Sequence, residues 1–562
     1  MKQIIECVPN FSEGKNPEII KQITNAISSV EGVSLLHVDM GNATNRTVVT
    51  FAGEPKQVVE AAFLAIEKAA ELIDMRQHKG EHPRMGATDV CPLVPVSGIG
   101  MDECAKWATI LAEKVGKELK IPVYLYEDAQ ADKNRSNLSV IRAGEYEGFV
   151  QKIKLPEWKP DFGPVELPLK WGATVIGARD FLIAYNINLN TKSTRIANRI
   201  AFDVREQGRV KREGNPIIGK IVKDENGEDV RIPGTLKSVK AIGWYIEEYG
   251  MAQISMNLTN YKITSVHQAF DEVCKKADER GVRATGSELV GLVPLNPLLE
   301  AGKYYLAKQG RSLGVSQKEL IEIAVQSMGL NQLSPFVAEE RIIEYVLNKN
   351  ENRLLVKLSV EAFMNETASE SPAPGGGSVS ALCATMGISL GAMVANLSAD
   401  KRGWESQTKA FSAVAEKAQK LKEELLFLID EDTYAFNRIL AAMQLPKTTE
   451  PEKAARNQAI EEASVFATEI PLKTMEKAFE CVPIISEMIE KGNPNSITDA
   501  GVGLLCIKTA VRGAYFNVMV NAKGLKNQVL AKEMSEKAKA ILKNNHVQID
   551  AALQAVEKAI DF

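Results

Sequence analysis

Residues 55–75 read PKQVVEAAFLAIEKAAELIDM and decide the fold class of the N-terminal half. Their apolar residues recur every three or four positions, from Val58 to Ile73, so they form one stripe along an amphipathic helix. Short apolar stretches on both sides of this helix predict strands. The predicted order is a strand over Ile4–Pro9, a helix over Asn16–Ser29, strands over Val33–Asp39 and Asn45–Ala52, the helix over Pro55–Met75 and a strand over Val90–Pro95. This β-α-β-β-α-β order is that of the split βαβ sandwich, a ferredoxin-like unit.

The same order of elements recurs further along the chain. The predicted strands are Phe181–Leu189, Leu236–Glu247, Ala252–Asn260 and Gly286–Pro294, and the predicted helices are Thr194–Gln207 and Ser265–Arg280. This recurrence predicts two similar α/β subdomains, with the cleft between them as the default binding site. The polar stretch Lys211–Pro233 within the second subdomain predicts a solvated hairpin or a mobile insertion.

The composition changes after the charged stretch Asn348–Arg353, which is typical of a linker. From Lys357 onward, long helical patterns follow one another over Gly377–Ser398, Ser406–Met443, Glu452–Lys491, Thr498–Ala522 and Gln528–Ile560. The predicted fold is therefore multidomain, α+β and all-α. It comprises two ferredoxin-like α/β subdomains (residues 1–178 and 179–326), a linker (327–356) and an all-α helical bundle (357–562).

Composition argues against several classes of function. The formal net charge of −4 over 562 residues gives no reason to expect nucleic acid as a partner. We expect no apolar run long enough to span a membrane, and the N-terminus lacks the pattern of a signal peptide. The seven cysteines are scattered, odd in number and without a CxxC pair. We therefore expect reduced thiols in a cytoplasmic protein, without a disulfide framework or a zinc site.

The stretch His78–Pro92 holds two of the five histidines, with charged residues and glycines around them. Pro83 and the glycines exclude a helix, so the stretch is predicted to begin as a loop that displays titratable side chains. One histidine, His78 or His82, could act as an acid–base, with Asp39 as a candidate partner that fixes its tautomer. Metal binding is not expected, because no third ligand stands at a diagnostic spacing. Histidines hydrogen-bonded to the loop backbone are the competing interpretation.

The first candidate feature in the helical half is the segment Gly375, Gly376, Gly377 and Ser378, which opens an apolar helix. Its backbone could approach a ligand closely and offer free amide hydrogens to an anion. However, the Gly-Lys-Ser/Thr sequence that ends a P-loop is absent. A flexible start with Ser378 near the helix cap is the plainer interpretation.

The second candidate feature is the acidic run Asp430, Glu431 and Asp432, which follows the apolar residues Leu425–Ile429. Successive helical residues are about 100° apart, so only one or two of these acids can face the bundle interior. An inward carboxyl group would have a raised pKa and could donate a proton. Solvation of all three carboxylates is the alternative and is usual for acidic runs.

The stretch between the two predicted subdomains, Trp158–Gly172, combines two tryptophans with several prolines and glycines. Such a stiff loop could clamp an aromatic ligand. A crossover packed on the core is the other interpretation, and composition alone favours it.

Six motifs together resemble the bifunctional formimidoyltransferase-cyclodeaminases, folate enzymes of histidine breakdown. They are Glu6–Gly14, His78–Pro92, Pro160–Pro164, Trp171–Thr174, Pro372–Ser378 and Gly513–Val518. The motifs are highly specific as a set, and the resemblance covers nearly the whole chain. It implies transfer of the formimino group of N-formimino-L-glutamate to tetrahydrofolate. It also implies ring closure of 5-formiminotetrahydrofolate to 5,10-methenyltetrahydrofolate, with release of ammonia.

The resemblance also implies site residues. It makes His82 the transferase acid–base, and it makes Asp432 or Asp430 the carboxylate of ring closure, with Asp432 preferred. The implied folate-binding loop comprises Gly163, Pro164, Val165, Glu166, Leu167, Pro168, Leu169, Lys170, Trp171 and Gly172, and the implied ligand loop of the ring-closing site comprises Gly375, Gly376, Gly377 and Ser378. Polyglutamylated tetrahydrofolate is the implied co-substrate, and no metal is expected. The segment Lys211–Pro233 is longer than in the family pattern, so nothing is carried over to it.

Two alternatives stay open for the helical half. It could be a methenyltetrahydrofolate cyclohydrolase fused to the transferase, because that family shares the glycine-rich start of the helix. It could also act only as a scaffold for oligomers. The family forms homo-oligomers in which dimers assemble into a larger ring, so the resemblance implies a homo-oligomer here, with no nucleic acid and no membrane as partner.

Overall fold

The computed structural model describes residues 3–41, 45–79, 83–215, 218–347 and 355–561. The chain forms two compact units, one of residues 1–298 with 325–350 and the other of residues 299–324 with 351–562. Residues 299–324 belong to the second unit, whereas residues 325–350 belong to the first. The predicted domain boundaries stay a prediction. The stretch Asn348–Arg353, predicted as a linker, lies outside the described residues.

The first α/β subdomain is built on one mixed sheet. Its strands are β1 (Ile4–Cys7), β2 (Asn10–Phe11), β3 (Val33–Gly41), β4 (Arg46–Gly53), β5 (Thr88–Ser97), β6 (Val123–Glu127) and β7 (Thr174–Ala178). Its helices are α1 (Pro17–Ser28), α2 (Pro55–Leu72), α3 (Met101–Lys114), α4 (Leu138–Arg142) and α5 (Glu145–Lys152). β1 and β2 share one position between β4 and β5. Pro9 falls between them, where its missing amide hydrogen interrupts the ladder.

The strand order of this sheet is β3-β4-β1/β2-β5-β7-β6. Neighbouring strands from β3 to β5 are antiparallel and have the predicted ferredoxin-like arrangement. β7 is inserted between β5 and β6 and runs parallel to both. It was not among the predicted strands, because a five-residue apolar run beside a glycine turn shows no periodicity.

Helices α1 and α2 cover one face of the sheet and leave the other face for the site. α1 begins at Pro17 because the side chain of Asn16 caps it by accepting a hydrogen bond from the amide of Glu18. The buried face of α2 is the predicted apolar stripe. Side chains alternate across a strand, so Arg46 lies on the face of β4 opposite to that of the core residue Val49.

The second α/β subdomain repeats this architecture. Its elements are β8 (Ile183–Leu189), α6 (Thr194–Val204), β9 (Arg209–Val210), β10 (Arg231–Ile232), β11 (Val239–Ile246), β12 (Met251–Leu258), α7 (Val266–Asp278) and β13 (Ala284–Val290). The main sheet has the order β11-β12-β8-β13 and is antiparallel throughout. β9 and β10 pair at the base of the polar segment and form the predicted hairpin. The prediction of two ferredoxin-like subdomains is confirmed.

The remaining helices are α8 (Leu295–Lys308), α9 (Gln317–Met328), α10 (Ala338–Arg341), α11 (Ile343–Leu347), α12 (Val360–Thr367), α13 (Gly376–Ala399), α14 (Thr408–Met443), α15 (Glu450–Lys491), α16 (Ile497–Lys523) and α17 (Gln528–Ile560). The five long helices from α13 to α17 pack into one bundle around a shared apolar core. They agree with the predicted all-α half of the chain.

Helix α13 corrects one expectation from composition. It is long and apolar enough to cross a membrane, so the statement that no apolar run reaches this length is wrong for this helix. In the bundle it packs against α14 and α16, and 61% of its most apolar window is buried. A helix that is apolar on all sides is typical of a protein core as well as of a membrane. Small residues permit the close packing: a Cβ on Gly387 would lie 2.7 Å from the carbonyl oxygen of Gly503.

Candidate functional sites

A cleft of about 730 Å³ lies between the two α/β subdomains. The first subdomain and the segment after it contribute Asn10, Arg46, Val90, Pro92, Tyr126, Glu127, Asp128, Asn137, Leu138, Ser139, Arg142, Arg179, Asp180 and Leu182, and the second contributes Lys240, Thr259 and Asn260. Most of these side chains are polar or charged. The cleft expected between the subdomains is therefore present, and its wall can bind a polar ligand.

A bulge in β5 directs Asp89 toward this wall. The register between β2 and β5 shifts from the pair Asn10–Val90 to the pair Phe11–Thr88, so Asp89 is the extra residue. Bulges re-aim a side chain and are frequent beside active sites. Asp89 is fully buried as a result.

The Asp89 carboxylate holds two arginines of the cleft. Its Oδ2 accepts a hydrogen bond from Arg46 Nη1 at 2.5 Å and lies 2.9 Å from Arg142 Nη2. Its Oδ1 accepts a hydrogen bond from the amide of Met85 at 3.0 Å. A buried carboxylate with three such partners fixes both guanidinium groups in place.

Glu6 of β1 is a second buried carboxyl group near the cleft. It is 4% exposed, and burial raises its pKa to about 7, although the positive charge of Arg179 acts in the opposite direction. Glu6 is therefore about half protonated at neutral pH. Arg179, which acts on this carboxyl group, lines the cleft.

We expect the substitution Glu6→Gln to remove a pH dependence of stability. The folded protein keeps a proton on Glu6 up to about pH 7, whereas the unfolded chain loses it near 4.5. The contribution of Glu6 to stability is therefore greatest below about pH 4.5 and falls until about pH 7, by roughly 3 kcal/mol. Thermal unfolding of both proteins at several values from about pH 5 to about pH 8 measures the effect. Parallel curves for wild type and variant would contradict the assignment.

His78 has a structural role in its loop. Its Nε2 donates a hydrogen bond to the carbonyl oxygen of Asn45 at 2.9 Å, and its Nδ1 accepts one from Arg84 Nε at 3.3 Å. Burial lowers the pKa of His78, and the positive charge of Arg84 acts in the same direction. The imidazole is therefore neutral, with its proton on Nε2. His78 therefore agrees with the competing interpretation, a loop histidine that is hydrogen-bonded to the backbone.

His82, the implied transferase acid–base, lies outside the described residues, together with Gly80 and Glu81. The chain on both sides of them is held by hydrogen bonds. The carbonyl oxygen of Lys79 accepts a hydrogen bond from the side chain of Asn45 at 2.9 Å. Asn45 directly precedes Arg46, so Lys79 is held close to an arginine of the cleft. Asp39, the candidate partner of the histidine, is an exposed residue of β3.

The guanidinium group of Arg84 holds the other side of this segment. It donates hydrogen bonds to Glu145 at 2.9 Å and to Glu147 at 2.6 Å. The hydrogen bond to Glu147 raises the pKa of Arg84 further. These contacts tie the histidine loop to α5.

The implied folate-binding loop, Gly163–Gly172, is fixed at both ends by glycines with positive φ. Gly163 has a φ of +86°, and a Cβ there would lie 2.3 Å from the carbonyl oxygen of Ile121. Gly172 has a φ of +70°, and a Cβ there would lie 2.3 Å from the carbonyl oxygen of Met85. Only glycine fits both positions. The end of the loop thereby packs against the same stretch that carries His82.

The middle of this loop presents apolar side chains to solvent. Val165 and Leu169 are 48% and 53% exposed. A small cavity of about 420 Å³ adjoins the start of the loop at Gly163 and Pro164. Flat, partly apolar ligands are bound by surfaces of this kind.

The two tryptophans beside this loop pack on the core. Trp171 contacts the core between α2 and the sheet, and Trp158 contacts the core on the other sheet face. The ammonium group of Lys152 lies 3.8 Å from the centre of the Trp158 ring. These two side chains agree with the interpretation that composition favoured, a crossover packed on the core.

Three helices of the bundle bring the implied ring-closing residues together. α13 begins at Gly376, after Gly375 as its cap. Asp432 of α14 accepts a hydrogen bond from the amide of Ser378 at 2.9 Å and lies 3.3 Å from the Ser378 hydroxyl. Asn517 of α16 stands at the same place, because a Cβ on Gly376 would lie 3.5 Å from its Nδ2. Asn517 belongs to the motif Gly513–Val518 of the resemblance, but no role for it is predicted from the sequence.

The two candidate carboxylates have different surroundings. Desolvation raises the pKa of Asp432, while the hydrogen bonds from Ser378 act in the opposite direction. Asp430 accepts a hydrogen bond from the amide of Leu355 at 2.8 Å and so holds the chain before α12. Asp432 contacts the glycine-rich start of α13. Capping α13 is also a structural role that Asp432 fulfils.

The substitution Gly377→Ala is expected to impair ring closure. A Cβ at this position would lie 2.0 Å from Asp432 Oδ1, so the carboxyl group must move. A displacement of this size lowers a reaction rate by roughly 100-fold. The control is Gly524→Ala, after the end of α16 and outside this loop, where the nearest atom lies 3.4 Å away. Ammonia release by the two variants measures the difference, and equal rates would argue against a site at Asp432.

The described residues contain no group of three or more His, Cys, Asp and Glu side chains placed to hold a metal ion. The expectation that neither reaction uses a metal stays a prediction. Within the described residues, the arrangement offers two polar sites: the arginine-lined cleft of the α/β subdomains and the carboxyl group at the start of α13.

Three protein-family models match successive parts of the chain. Residues 4–179 match the formiminotransferase domain, N-terminal subdomain, and residues 184–348 match the formiminotransferase domain. Residues 359–540 match the formiminotransferase-cyclodeaminase model. The matches thus fall on both α/β subdomains and on the helical half.

Known proteins resemble the chain over its full length and over parts of it. The formimidoyltransferase-cyclodeaminase of Rattus norvegicus is 41% identical over 558 residues, which are 99% of each chain. The glutamate formimidoyltransferase of Thermoplasma acidophilum is 44% identical over 309 residues, 55% of this chain and 93% of that protein. The methenyltetrahydrofolate cyclohydrolase of Methylorubrum extorquens is 38% identical over 184 residues, 33% of this chain and 88% of that protein. The resemblance drawn from the motifs is confirmed: the chain belongs to the formimidoyltransferase-cyclodeaminase family.

Proposed function

We propose that this chain catalyses two successive folate reactions of histidine degradation. The first transfers the formimino group of N-formimino-L-glutamate to nitrogen 5 of tetrahydrofolate and releases glutamate. The second closes 5-formiminotetrahydrofolate to 5,10-methenyltetrahydrofolate and releases ammonia. One observation carries the proposal: similarity to the rat formimidoyltransferase-cyclodeaminase extends over 99% of both chains, so both halves have a counterpart in that enzyme.

In the transferase reaction, we propose His82 as the acid–base. Attack of the folate nitrogen on the formimino carbon gives a tetrahedral centre, after which the attacking nitrogen must lose a proton and the departing glutamate nitrogen must gain one. One imidazole can perform both transfers in turn, because proton transfer is most efficient when the pKa lies near the working pH. The loop Gly163–Gly172 would bind the pterin, and its exposed Val165 and Leu169 support that role.

In the ring-closing reaction, we propose Asp432 as the proton donor. The amino group of the adduct leaves poorly until its nitrogen gains a proton, so the reaction needs a nearby acid. Desolvation raises the pKa of Asp432 and makes the carboxyl group able to hold and donate a proton. The amides and small residues at Gly375–Ser378 would let the folate approach this carboxyl group.

An assay of both steps with the purified full-length chain tests the proposal. We expect formiminoglutamate and tetrahydrofolate together to yield methenyltetrahydrofolate and an equal amount of ammonia. The alternative is a cyclohydrolase in the helical half, which the 38% identity to the Methylorubrum extorquens enzyme supports. Supplied 5-formiminotetrahydrofolate distinguishes the two: ammonia release supports ring closure. Hydrolysis of supplied methenyltetrahydrofolate without ammonia release from the formimino compound supports the alternative.

We also propose a homo-oligomer as the working form. Apolar side chains stay exposed on two neighbouring helices, with Met386, Met393 and Leu397 on α13 and Phe516 and Val520 on α16. A second copy of the chain could cover them, because oligomer contacts are formed by such surfaces. Analytical ultracentrifugation of the full chain measures the subunit number. If the helical half served only as a scaffold, this assembly would form without any ammonia release.

Two further properties belong to the proposal. We propose that the folate substrate carries a polyglutamate tail, since a bound tail would keep the intermediate near the second site after transfer. We also propose a cytoplasmic location. It is supported by seven free cysteines, four of them fully buried.

A further inference from the structure

We propose that Arg46 and Arg142 form a subsite for a carboxylate of a glutamyl group. The inference rests on the proposed transferase reaction, in which the formimino donor and the folate tail both carry glutamyl carboxylates. It names the two side chains of the cleft that would hold such a group. Asp89, beneath them, is a positioning residue.

Among the described residues, the arginine pair has one direct carboxylate partner. Two guanidinium groups share one carboxylate oxygen, Asp89 Oδ2, so neither has a carboxylate of its own. Both side chains are largely removed from water, with 9% of Arg46 and 11% of Arg142 exposed. A desolvated guanidinium group that shares its counter-ion costs free energy, and a bound carboxylate recovers part of that cost.

A further acid, Glu145, acts on Arg142 electrostatically. Its carboxylate accepts a hydrogen bond from Arg84 Nη1 at 2.9 Å, and Arg84 also donates to Glu147. Glu145 therefore contributes negative charge near the pair while it accepts a hydrogen bond from Arg84. Burial is the main cause that lowers the pKa of Arg142, and the charge of Arg46 acts in the same direction. A bound carboxylate would oppose both effects.

The two guanidinium groups keep donors for a ligand. Arg46 uses Nε for Asn10 Oδ1 at 3.0 Å and Nη1 for Asp89, which leaves its Nη2 among the described residues. Arg142 Nε is buried and has no hydrogen-bond partner among the described residues. Guanidinium groups bind carboxylates through parallel hydrogen bonds, with a strength greater than that of neutral pairs. Both side chains line the cleft, so a ligand there can approach the guanidinium groups.

The acidic residues of the same cleft restrict where an anion can bind. Glu127, Asp128 and Asp180 also line it and repel a carboxylate from their part of the wall. Asp180 is paired with Lys262 at 2.9 Å. A glutamyl carboxylate is therefore expected at the arginine pair, where guanidinium groups line the cleft.

The substitution Arg142→Gln tests the subsite. Asp89 keeps its contacts with Arg46 and Met85 in this variant, so the fold should persist. We expect the KM for one glutamyl substrate to rise about 10- to 100-fold, as for loss of a charged hydrogen bond, with a smaller change in kcat. A rise for formiminoglutamate assigns the subsite to the donor, and a rise for tetrahydrofolate polyglutamate assigns it to the folate tail. Arg142→Lys, which keeps the charge, should recover part of the loss.

The control variant is Arg205→Gln, a partly buried arginine that does not line the cleft. Both KM values should equal those of the wild type in this control. Ammonia release from supplied 5-formiminotetrahydrofolate monitors the integrity of each preparation. If neither KM changes by more than about twofold in Arg142→Gln, against the loss expected for a charged hydrogen bond, the proposed subsite is overturned.

A binding measurement separates failure of the subsite from failure of the proposed function. Calorimetric titration of L-glutamate and of tetrahydrofolate polyglutamate into wild type and Arg142→Gln does not depend on turnover. Weaker binding of either ligand by the variant supports the subsite even if the wild type transfers no formimino group. Equal binding, or no binding by either protein, overturns it. Absence of transfer by the wild type counts only against the proposed transferase reaction.

Discussion

The variant His82→Ala is expected to lose formimino transfer and to keep ring closure of supplied 5-formiminotetrahydrofolate. Transfer requires a proton to leave the attacking nitrogen and another to reach the departing one, and no other group has been proposed to carry them. Removal of a general acid–base lowers a rate by about 10²- to 10⁴-fold. Separate assays of glutamate release and of ammonia release measure the two steps.

His78 provides a matched control for this variant, because it lies four residues earlier in the same stretch. The neutral His78 ring is engaged by Asn45 and Arg84, so His78→Ala should lower thermal stability more than it lowers the rate of transfer. Loss of both activities in His82→Ala would argue against two separable sites. A larger loss of transfer in His78→Ala than in His82→Ala would move the acid–base role to His78.

The variant Asp432→Asn is expected to show the opposite pattern, with ring closure lost and formimino transfer kept. Asparagine preserves the shape of the side chain and an oxygen that can accept the hydrogen bond from the Ser378 amide, so α13 should keep its cap. It has no proton to give to the departing ammonia. The expected loss is about 10²- to 10⁴-fold in ammonia release.

Asp430→Asn is the control for this second variant, because Asp430 belongs to the same helix and accepts a hydrogen bond from the Leu355 amide. Its ring-closure rate should stay close to that of the wild type. Retained ammonia release in Asp432→Asn would remove the role from that residue, and loss in Asp430→Asn would transfer it there. Loss in neither variant would place the chemistry outside this acidic run.

The order of elements in both α/β subdomains could be predicted from periodicity because each element buries a face of its own. The helix over residues 55–72 carries its apolar residues at helical spacing, and the strands beside it have the short apolar runs that a covered sheet requires. β7 could not be predicted, because its position between β5 and β6 depends on pairing with residues 50 or more positions away. Local pattern contains no information about such partners.

The residues of the candidate sites could be predicted from the sequence, but their contacts could not. The glycine-rich start of α13 and the acidic run of α14 were visible in the sequence, because glycines and clustered acids are unusual beside apolar helical runs. Their meeting was not visible, since Gly377 and Asp432 are brought together only by packing of the two helices. The same holds for Asn517, which stands 85 positions after Asp432 in the chain.

What the sequence by itself determined is therefore the fold class, the family and the residue types available for chemistry. The fold class and the residue types follow from spacing and composition, which are local properties of the chain, and the family follows from the resemblance of six motifs. Only the tertiary structure decided which side chains share a site: the bulge at Asp89 that gathers Arg46 and Arg142, and the neutral, hydrogen-bonded state of His78. The physical reason is that burial, charge balance and hydrogen bonding depend on neighbours distant in sequence, so they exist only once the chain has folded.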